Sequence, residues 1–231
     1  MNYQINLDEV DVDGAIREAA HDAAGDTRLS FLKKAGLAGG AVVGGGAVLS
    51  ALAPSAFAAG NGRPPASFGK GDVGILNYAL TLEYLEAAFY NGASAANLPL
   101  SSQESAFLKV VTKDENAHVK FLKSALGSRA AKEPKFDFKG TNIDAAIFLK
   151  TAQVLENTGV HAYSGQALNI KSPAYVKAAL SILTIEARHA SVIGLLNEPA
   201  GEDIAPDGPF DTPFTAAKVL AAVKGTGFIV G

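Results

Sequence analysis

The chain has no cysteine and no tryptophan among its 231 residues, and it has a single methionine. The absence of cysteine excludes disulfides, thiolate zinc sites, iron–sulfur clusters and cysteine nucleophiles. A metal ion in this protein must therefore be bound by carboxylates, imidazoles, carbonyl oxygens or water.

An excess of positive charge is also lacking. Lysine and arginine together number 20, aspartate and glutamate 23, and the formal net charge is −3. A general nucleic-acid binder is normally strongly basic, so we expect no nucleic-acid partner. Hydrophobic residues make up 48% of the chain and charged residues 19%, which indicates a globular protein. The length allows one domain with a core and a short extension.

Residues 1–58 have the pattern of an export signal. An acidic, polar stretch is followed by three basic residues between positions 28 and 34, and then by the uncharged, glycine-rich stretch 35–53. Residues 56–58, Ala-Phe-Ala, provide a cleavage site with small residues at its first and third positions. This order of basic, apolar and small residues is typical of a signal peptide.

The segment 27–33 resembles a twin-arginine export motif, except that Leu29 stands where the second arginine is expected. We predict that the export machinery recognises residues 1–58 and that this signal is cleaved. The protein would then be periplasmic or extracellular. The alternatives are an uncleaved signal that anchors the protein in a membrane, and a glycine-rich core helix.

Four helices are predicted after a Gly/Pro-rich linker at 59–71, and strand patterns are scarce. Each helix begins at a capping residue or at a proline, and most end near glycine, asparagine or proline. The predicted helices run from Asp72 to Tyr90 before Asn91-Gly92, from the capping box at Ser101 to Leu126, from Thr141 or Asp144 to Leu168, and from Ser172 to a point before Pro199.

The connections predict an all-α four-helix bundle over residues 72–197. The segments 92–100 and 169–171 are short, so each should join antiparallel neighbours. The segment 127–140 is long enough to run the length of a bundle, which allows a crossover between helices two and three. Residues 198–231 form a tail, and its short helix is expected to start at Thr212-Pro213, run to about Val223, close at Gly225 and pack on the outside.

The pattern Glu-x-x-His occurs in helix two and again in helix four. Residues three apart lie on nearly the same face of a helix, so a carboxylate and an imidazole can bind one ion together. Helices one and three each supply a single glutamate. This arrangement is the ligand set of dinuclear carboxylate sites in four-helix bundles. The predicted metal ligands are Glu83, Glu115, His118, Glu156, Glu186 and His189.

Apolar stripes surround these polar residues. Leu149 and Val160 share the face of Glu156, and Ile182 and Ile193 share the face of His189. Burying an ionised carboxylate without a partner costs several kcal/mol, so several buried together favour a bound cation. The alternative is that each Glu-x-x-His is an ordinary solvated pair on a helix surface.

Five further residues are expected around the ligands: Glu86, Tyr90, Asp114, His161 and Tyr163. Glu86 competes with Glu83 for the ligand position on helix one. Asp114 is expected to orient His118 through its second ring nitrogen. The two tyrosines follow the glutamates of helices one and three by seven residues and should pack beside the site, with hydrogen bonding or redox chemistry as the alternative. His161 lies about 140° around its helix from Glu156, so we expect it on the surface or behind the ligands.

The chain resembles the ferritin-like superfamily, and within it bacterial ferritin-like proteins related to plant desiccation-related proteins. The resemblance covers residues 68–228 and rests on 82–90, 115–118, 155–163, 186–189 and 211–220. It implies a pair of iron or manganese ions with one terminal carboxylate and one histidine each, and two bridging carboxylates that are left unassigned. The absence of cysteine excludes a rubredoxin-type domain, and the tail is unlike the helix that closes the ferritin cage.

Three functions follow from these predictions. The first is a redox enzyme that oxidises Fe(II) or disproportionates peroxide in stress, with O₂ or peroxide as co-substrate. The second is metal sequestration without turnover, and the third is a desiccation-protective bundle in which the metal only stabilises the fold. No catalytic residue is assigned, both iron and manganese suit these ligands, and assembly into a homo-oligomer stays open.

Overall fold

Five α-helices and three short 3₁₀ turns account for most of the part of the chain that the computed structural model describes, residues 62–201 and 203–230. The export signal predicted for residues 1–58 lies outside these residues. The helices are α1 (Gly71–Ala96), α2 (Ser102–Leu126), α3 (Ala145–Gln166), α4 (Pro173–Asn197) and α5 (Ala216–Thr226). Within the described ranges the β-structure is an isolated antiparallel bridge between Phe136 and Ile229.

The connection between α2 and α3 runs along the bundle. Asn77, near the start of α1, donates its side-chain amide to the carbonyl oxygens of Phe68 and Arg129, at 2.9 and 3.0 Å. The far end of the connection lies elsewhere, because the Asn142 amide donates to the carbonyl oxygen of Phe89, twelve residues further along α1, at 3.3 Å. The predicted all-α bundle with a crossover between helices two and three is therefore confirmed.

Helix starts follow the predicted capping chemistry at α2 and α3. Ser101 forms a capping box, since its hydroxyl accepts from the Glu104 amide at 3.3 Å and Glu104 accepts from the Ser101 amide at 2.7 Å. Asp144 caps α3 by accepting from the amide of Ala146 at 2.8 Å. These bonds satisfy amide groups that would otherwise have no partner in the first turn of the helix.

Asp72 does not cap α1, contrary to the prediction. The helix already begins at Gly71, with Lys70 at the cap position. The Asp72 carboxylate instead accepts from the backbone amides of Lys171 and Ser172, at 2.9 and 2.8 Å. It therefore joins the start of α1 to the turn before α4.

The prediction that Asn91-Gly92 ends the first helix is wrong, because α1 continues to Ala96. The Asn91 side chain exchanges hydrogen bonds with the side chain of Asn116 on α2, at 3.2 and 3.0 Å. A Cβ atom at Gly92 would lie only 2.2 Å from Nδ2 of Asn142. Both residues thus serve contacts between elements, and those contacts outweigh their weak helix propensity.

The short C-terminal helix starts and ends later than predicted. Thr215, not Thr212, caps α5 and accepts from the amide of Lys218 at 3.2 Å. The helix passes through Gly225 and ends before Gly227, whose φ of 64° is the left-handed conformation that favours glycine. α5 lies against α3 and buries Val219.

On α2 and α4, two apolar clusters lie on either side of the middle of the bundle. The first includes Phe107 and Val111 on α2 and Ile193 on α4. The second includes Leu122 on α2 and Ile182 on α4. Because residues 115–118 and 186–189 fall between these positions, the polar residues of α2 and α4 occupy the layer between the clusters.

Among the described residues, α4 is long and apolar enough by length and composition to span a membrane, with a mean hydropathy of 1.4 over its most apolar window. The same helix packs against α3 and α2 and carries the buried Glu186 and His189. A third of that window is buried in the bundle, and Leu180, Val192 and Leu195 of the same helix are exposed.

Candidate metal centre

Six polar side chains from the four long helices meet in the middle of the bundle. All four carboxylate residues have no exposed surface, and both histidines are buried. They are the six residues predicted as ligands from the sequence: Glu83, Glu115, His118, Glu156, Glu186 and His189.

The first group of ligand atoms surrounds His118. Its Nδ1 lies 3.2 Å from a carboxylate oxygen of each of three residues on three different helices: Glu83, Glu115 and Glu186. One ligand atom from each of the four residues lies within 4.8 Å of the others, so a single cation could contact all four.

The second group surrounds His189. Its Nδ1 lies 3.0 Å from Oε1 of Glu115 and 3.3 Å from Oε2 of Glu156. Glu186 completes this group, again with one ligand atom of each residue within 4.8 Å of the others.

Glu115 and Glu186 belong to both groups. Glu115 directs Oε2 towards His118 and Oε1 towards His189. Each group therefore has one glutamate and one histidine of its own and shares two glutamates with the other. This is the arrangement of two cations joined by two bridging carboxylates. Glu115 and Glu186 are the two carboxylates in position to bridge such a pair, a choice that the sequence left open.

The two tyrosines form crossed hydrogen bonds to the unshared carboxylates. The hydroxyl of Tyr90 on α1 donates to Oε1 of Glu156 on α3. The hydroxyl of Tyr163 on α3 donates to Oε1 of Glu83 on α1. Burial and these neighbouring carboxylates raise the pKa of both tyrosines well above the usual value, so each keeps its proton and remains a donor. The structure thus gives the tyrosines the hydrogen-bonding role.

Asp114 faces a different histidine from the one expected. Its Oδ2 lies 3.3 Å from Nε2 of His189 on α4, whereas the sequence assigned it to His118. The reason is that α2 packs against α4, and the residue after Asp114, Glu115, also contacts His189. A proton on Nε2 would be donated to Asp114, leaving the Nδ1 lone pair directed at the carboxylates.

His161 lies away from the six residues and against the tail. Its Nδ1 is 2.6 Å from the carbonyl oxygen of Thr212, and its ring stacks on Phe214 with centroids 4.1 Å apart. Burial lowers the pKa of His161, so at neutral pH it is uncharged and can donate to that carbonyl.

Glu86 is buried next to the six residues but belongs to neither group of four. Of the two candidates on α1, Glu83 is the one that belongs to a group. The role of each of the six as a ligand stays a prediction.

The buried polar atoms fit a pair of bound cations. Among the described residues, five of these atoms form no hydrogen bond of good geometry, although His189 lies within 3.3 Å of Glu115 and Glu156. The five atoms are Oε1 of Glu115, Oε2 of Glu156, both oxygens of Glu186 and Nδ1 of His189. A buried carboxylate left unpaired costs several kcal/mol, and a cation or a proton removes that cost. Carboxylate and imidazole donors suit iron and manganese.

Without a cation the cluster must hold protons. Burial raises the pKa of Glu115 to about 7 despite its contacts with both histidines. Burial works against a charged His189, but its contacts with Glu115 and Glu156 prevail and raise its pKa to about 11. Burial likewise opposes the charged form of His118, and three carboxylates raise its pKa. Protons and metal ions thus compete for the same atoms.

An open groove of about 710 Å³ between α2 and α4 leads to one edge of the site. Its lining includes Asp114 and His189, together with apolar residues such as Phe107 and Val192. Small solutes can reach His189 from this side.

An all-helical bundle with one glutamate or one Glu-x-x-His contributed by each helix defines the class of dinuclear carboxylate proteins. The chain belongs to the ferritin-like domain family, whose sequence model matches residues 71–198. That range contains α1 to α4 and all six predicted ligands. The sequence has no significant match among curated proteins.

Three features of the site escaped the sequence analysis: the bridging pair, the crossed tyrosine bonds and the role of Gly159. A Cβ atom at Gly159 would lie 2.7 Å from Oε2 of Glu186, so this glycine provides space for a carboxylate. A signal for it was present, because Gly159 follows Glu156 by three residues and lies on the same helix face.

Proposed function

We propose that this protein is exported, binds two iron or two manganese ions between its four long helices, and uses them to oxidise Fe(II) or to break down peroxide in stress. The observation that supports this most directly is the pair of four-residue groups that share Glu115 and Glu186. A single structural cation would need only one such group.

Charge balance supports a pair of divalent ions. Glu83, Glu115, Glu156 and Glu186 supply four negative charges in a layer without exposed carboxylate surface. Two divalent ions cancel these charges, and the histidines can then be neutral ligands. When bound, iron or manganese supplies one-electron steps between its divalent and trivalent states.

The remaining residues hold and protect this layer. Tyr90 and Tyr163 fix one oxygen of Glu156 and Glu83, so that the other oxygen of each points to the shared centre. Asp114 fixes the ring of His189. The apolar clusters on both sides exclude bulk water, which strengthens each electrostatic contact inside. The groove beside His189 suits entry of a substrate as small as O₂ or hydrogen peroxide.

Export is proposed from the order of basic, apolar and small residues in 1–58. The test is to express the full chain, separate the periplasmic and culture fractions, and determine the N-terminus of the protein found there. A mature N-terminus shortly after residue 58 is expected. A full-length chain confined to the cytoplasm would contradict export.

The function is tested by elemental analysis of the purified protein, followed by anaerobic loading with Fe(II) or Mn(II) and exposure to O₂ or hydrogen peroxide. We expect two ions per chain and catalytic consumption of the oxidant. The variant Glu133→Gln, at an exposed position in the crossover, serves as the control with unchanged binding. Binding of two ions without turnover would instead establish sequestration. No binding would leave only the protective bundle.

A further inference from the structure

α1 and α3 carry the same pattern of site residues, with one difference. Glu83 and Tyr90 on α1 match Glu156 and Tyr163 on α3, each pair seven residues apart and joined by the crossed hydrogen bonds. Three residues after the glutamate, the patterns diverge, because α1 has Glu86 and α3 has Gly159.

Gly159 provides the space into which the Glu86 side chain extends. A Cβ atom at Gly159 would lie 3.2 Å from Oε1 of Glu86 and 2.7 Å from Oε2 of Glu186. Both carboxylate oxygens therefore border the volume that a side chain at position 159 would fill. Glycine in the interior of a helix costs about 1 kcal/mol relative to alanine, so its presence here favours a role in making this space.

Within residues 62–201 and 203–230, the Glu86 carboxylate has no hydrogen-bond or ion-pair partner. The residue is 3% exposed. The groups that influence it are all acidic. Burial and the charges of Glu186, Glu115, Glu156 and Glu83, in that order, raise the pKa of Glu86 well above its usual value. A bound cation would offset both effects.

We infer that Glu86 is a fifth carboxylate of the metal pair and binds it beside the bridging Glu186, in the space left by Gly159. This inference rests on the proposed metal site and adds a seventh protein ligand to the six predicted from the sequence.

The fifth carboxylate gives the site a charge that two divalent ions do not need. Four carboxylates balance two divalent ions, and a fifth balances the additional charge when one ion becomes trivalent. Glu86 should therefore stabilise the more oxidised state of the pair.

The test compares the full-length wild type with Glu86→Gln, with Glu86→Asp and with the exposed control Glu133→Gln. Each protein is stripped of metal and titrated anaerobically with Mn(II), and then with Co(II) as a spectroscopic probe. Glutamine keeps the shape of the side chain without its charge, and aspartate keeps the charge but withdraws the oxygens from the site.

We expect Glu86→Gln to bind Mn(II) about tenfold more weakly, or worse, with a changed visible spectrum of bound Co(II). Glu86→Asp should show the same changes because direct contact is lost. Glu133→Gln should behave as the wild type. Thermal unfolding of the metal-free proteins shows that the variants fold, and Glu86→Gln should unfold at the same or a higher temperature, since it removes an unpaired buried acid.

Two results would overturn the inference while leaving the metal pair intact. The first is wild-type Mn(II) affinity and an unchanged Co(II) spectrum in Glu86→Gln. The second is wild-type affinity and a wild-type spectrum in Glu86→Asp, which would show that a charge at a distance is sufficient. If the wild type itself binds neither Mn(II) nor Co(II), the proposed function fails together with the inference.

Discussion

Glu115 and Glu186 differ from the other acidic residues of the site because each faces both groups of ligand atoms. The remaining four predicted ligands each belong to one group only: Glu83, His118, Glu156 and His189. Removing a shared carboxylate and removing an unshared one should therefore have different consequences.

We predict that Glu115→Gln loses both ions, whereas Glu83→Gln loses mainly the ion bound by the His118 group. The physical reason is that Glu115 contacts both imidazoles, at 3.2 and 3.0 Å, while Glu83 contacts only His118. The measurement is metal content after dialysis against Mn(II), with Glu133→Gln as the control. Retention of two ions by Glu115→Gln would contradict its bridging position.

The tyrosines allow a second test with little risk to the fold. Tyr163→Phe removes the donor to Glu83, and Tyr90→Phe removes the donor to Glu156, with no other change of shape. Removing a group that orients a metal ligand typically lowers metal affinity about 10- to 100-fold. We expect a loss of that size for one ion in each variant. Calorimetric titration with Mn(II) measures it. Unchanged affinity in both variants would show that the carboxylates need no such support.

At the scale of single residues, the six predicted ligands could be found from the sequence because each pattern lies within one helix. Other features depend on how the helices are rotated against each other. These are the choice of the shared carboxylates, the pairing of each tyrosine with a glutamate, and the contact of Asp114 with His189. No single-helix pattern contains that rotation. The assignment of the six as ligands stays a prediction.

At the scale of the helices, capping signals predicted well the ends that depend on local chemistry, such as Ser101 and Asp144. They failed at Gly92, where another element uses the residue, and at Gly225, where no neighbouring group lies close. Gly92 lies inside α1 because Asn142 of the crossover needs its space. Gly225 lies inside α5, where a Cβ atom would meet nothing within 4 Å.

These two glycines make a matched pair for a stability measurement. In Gly92→Ala the new methyl group collides with Asn142, so we expect a destabilisation of about 1–3 kcal/mol. In Gly225→Ala the helix gains propensity without a clash, so we expect a stabilisation of up to about 1 kcal/mol. Urea unfolding of both variants measures the sign. Stabilisation by Gly92→Ala would contradict the close contact between α1 and the crossover.

At the scale of the whole molecule, the length of segment 127–140 allowed the crossover that the structure shows. The antiparallel pairs followed from the short connections. Export of the chain stays a prediction, because residues 1–58 lie outside the described residues.

The buried cluster should make the metal-free protein less stable as pH rises. The pKa of Glu115 is raised to about 7 and that of His189 to about 11, so the folded chain holds protons that the unfolded chain releases. A group whose folded pKa is raised contributes stability at low pH and loses that contribution as pH rises towards the folded pKa. The stability of the metal-free protein should fall from about pH 5 to about pH 8.

Bound metal should reverse this trend, because cations replace the protons and metal binding strengthens as protons leave. Thermal unfolding with EDTA and with Mn(II), at both pH values, checks the pair of predictions. The stabilisation by Mn(II) should be larger at the higher pH. A metal-free protein that gains stability over this range would contradict the account.

The most direct test of the central claim is anomalous X-ray diffraction from crystals of the Mn(II)-loaded protein. Two peaks are predicted about 3.5–4 Å apart, one beside Glu83 and His118 and the other beside Glu156 and His189, with Glu115 and Glu186 between them. A single peak, or peaks only at surface carboxylates, would contradict a metal pair at this site.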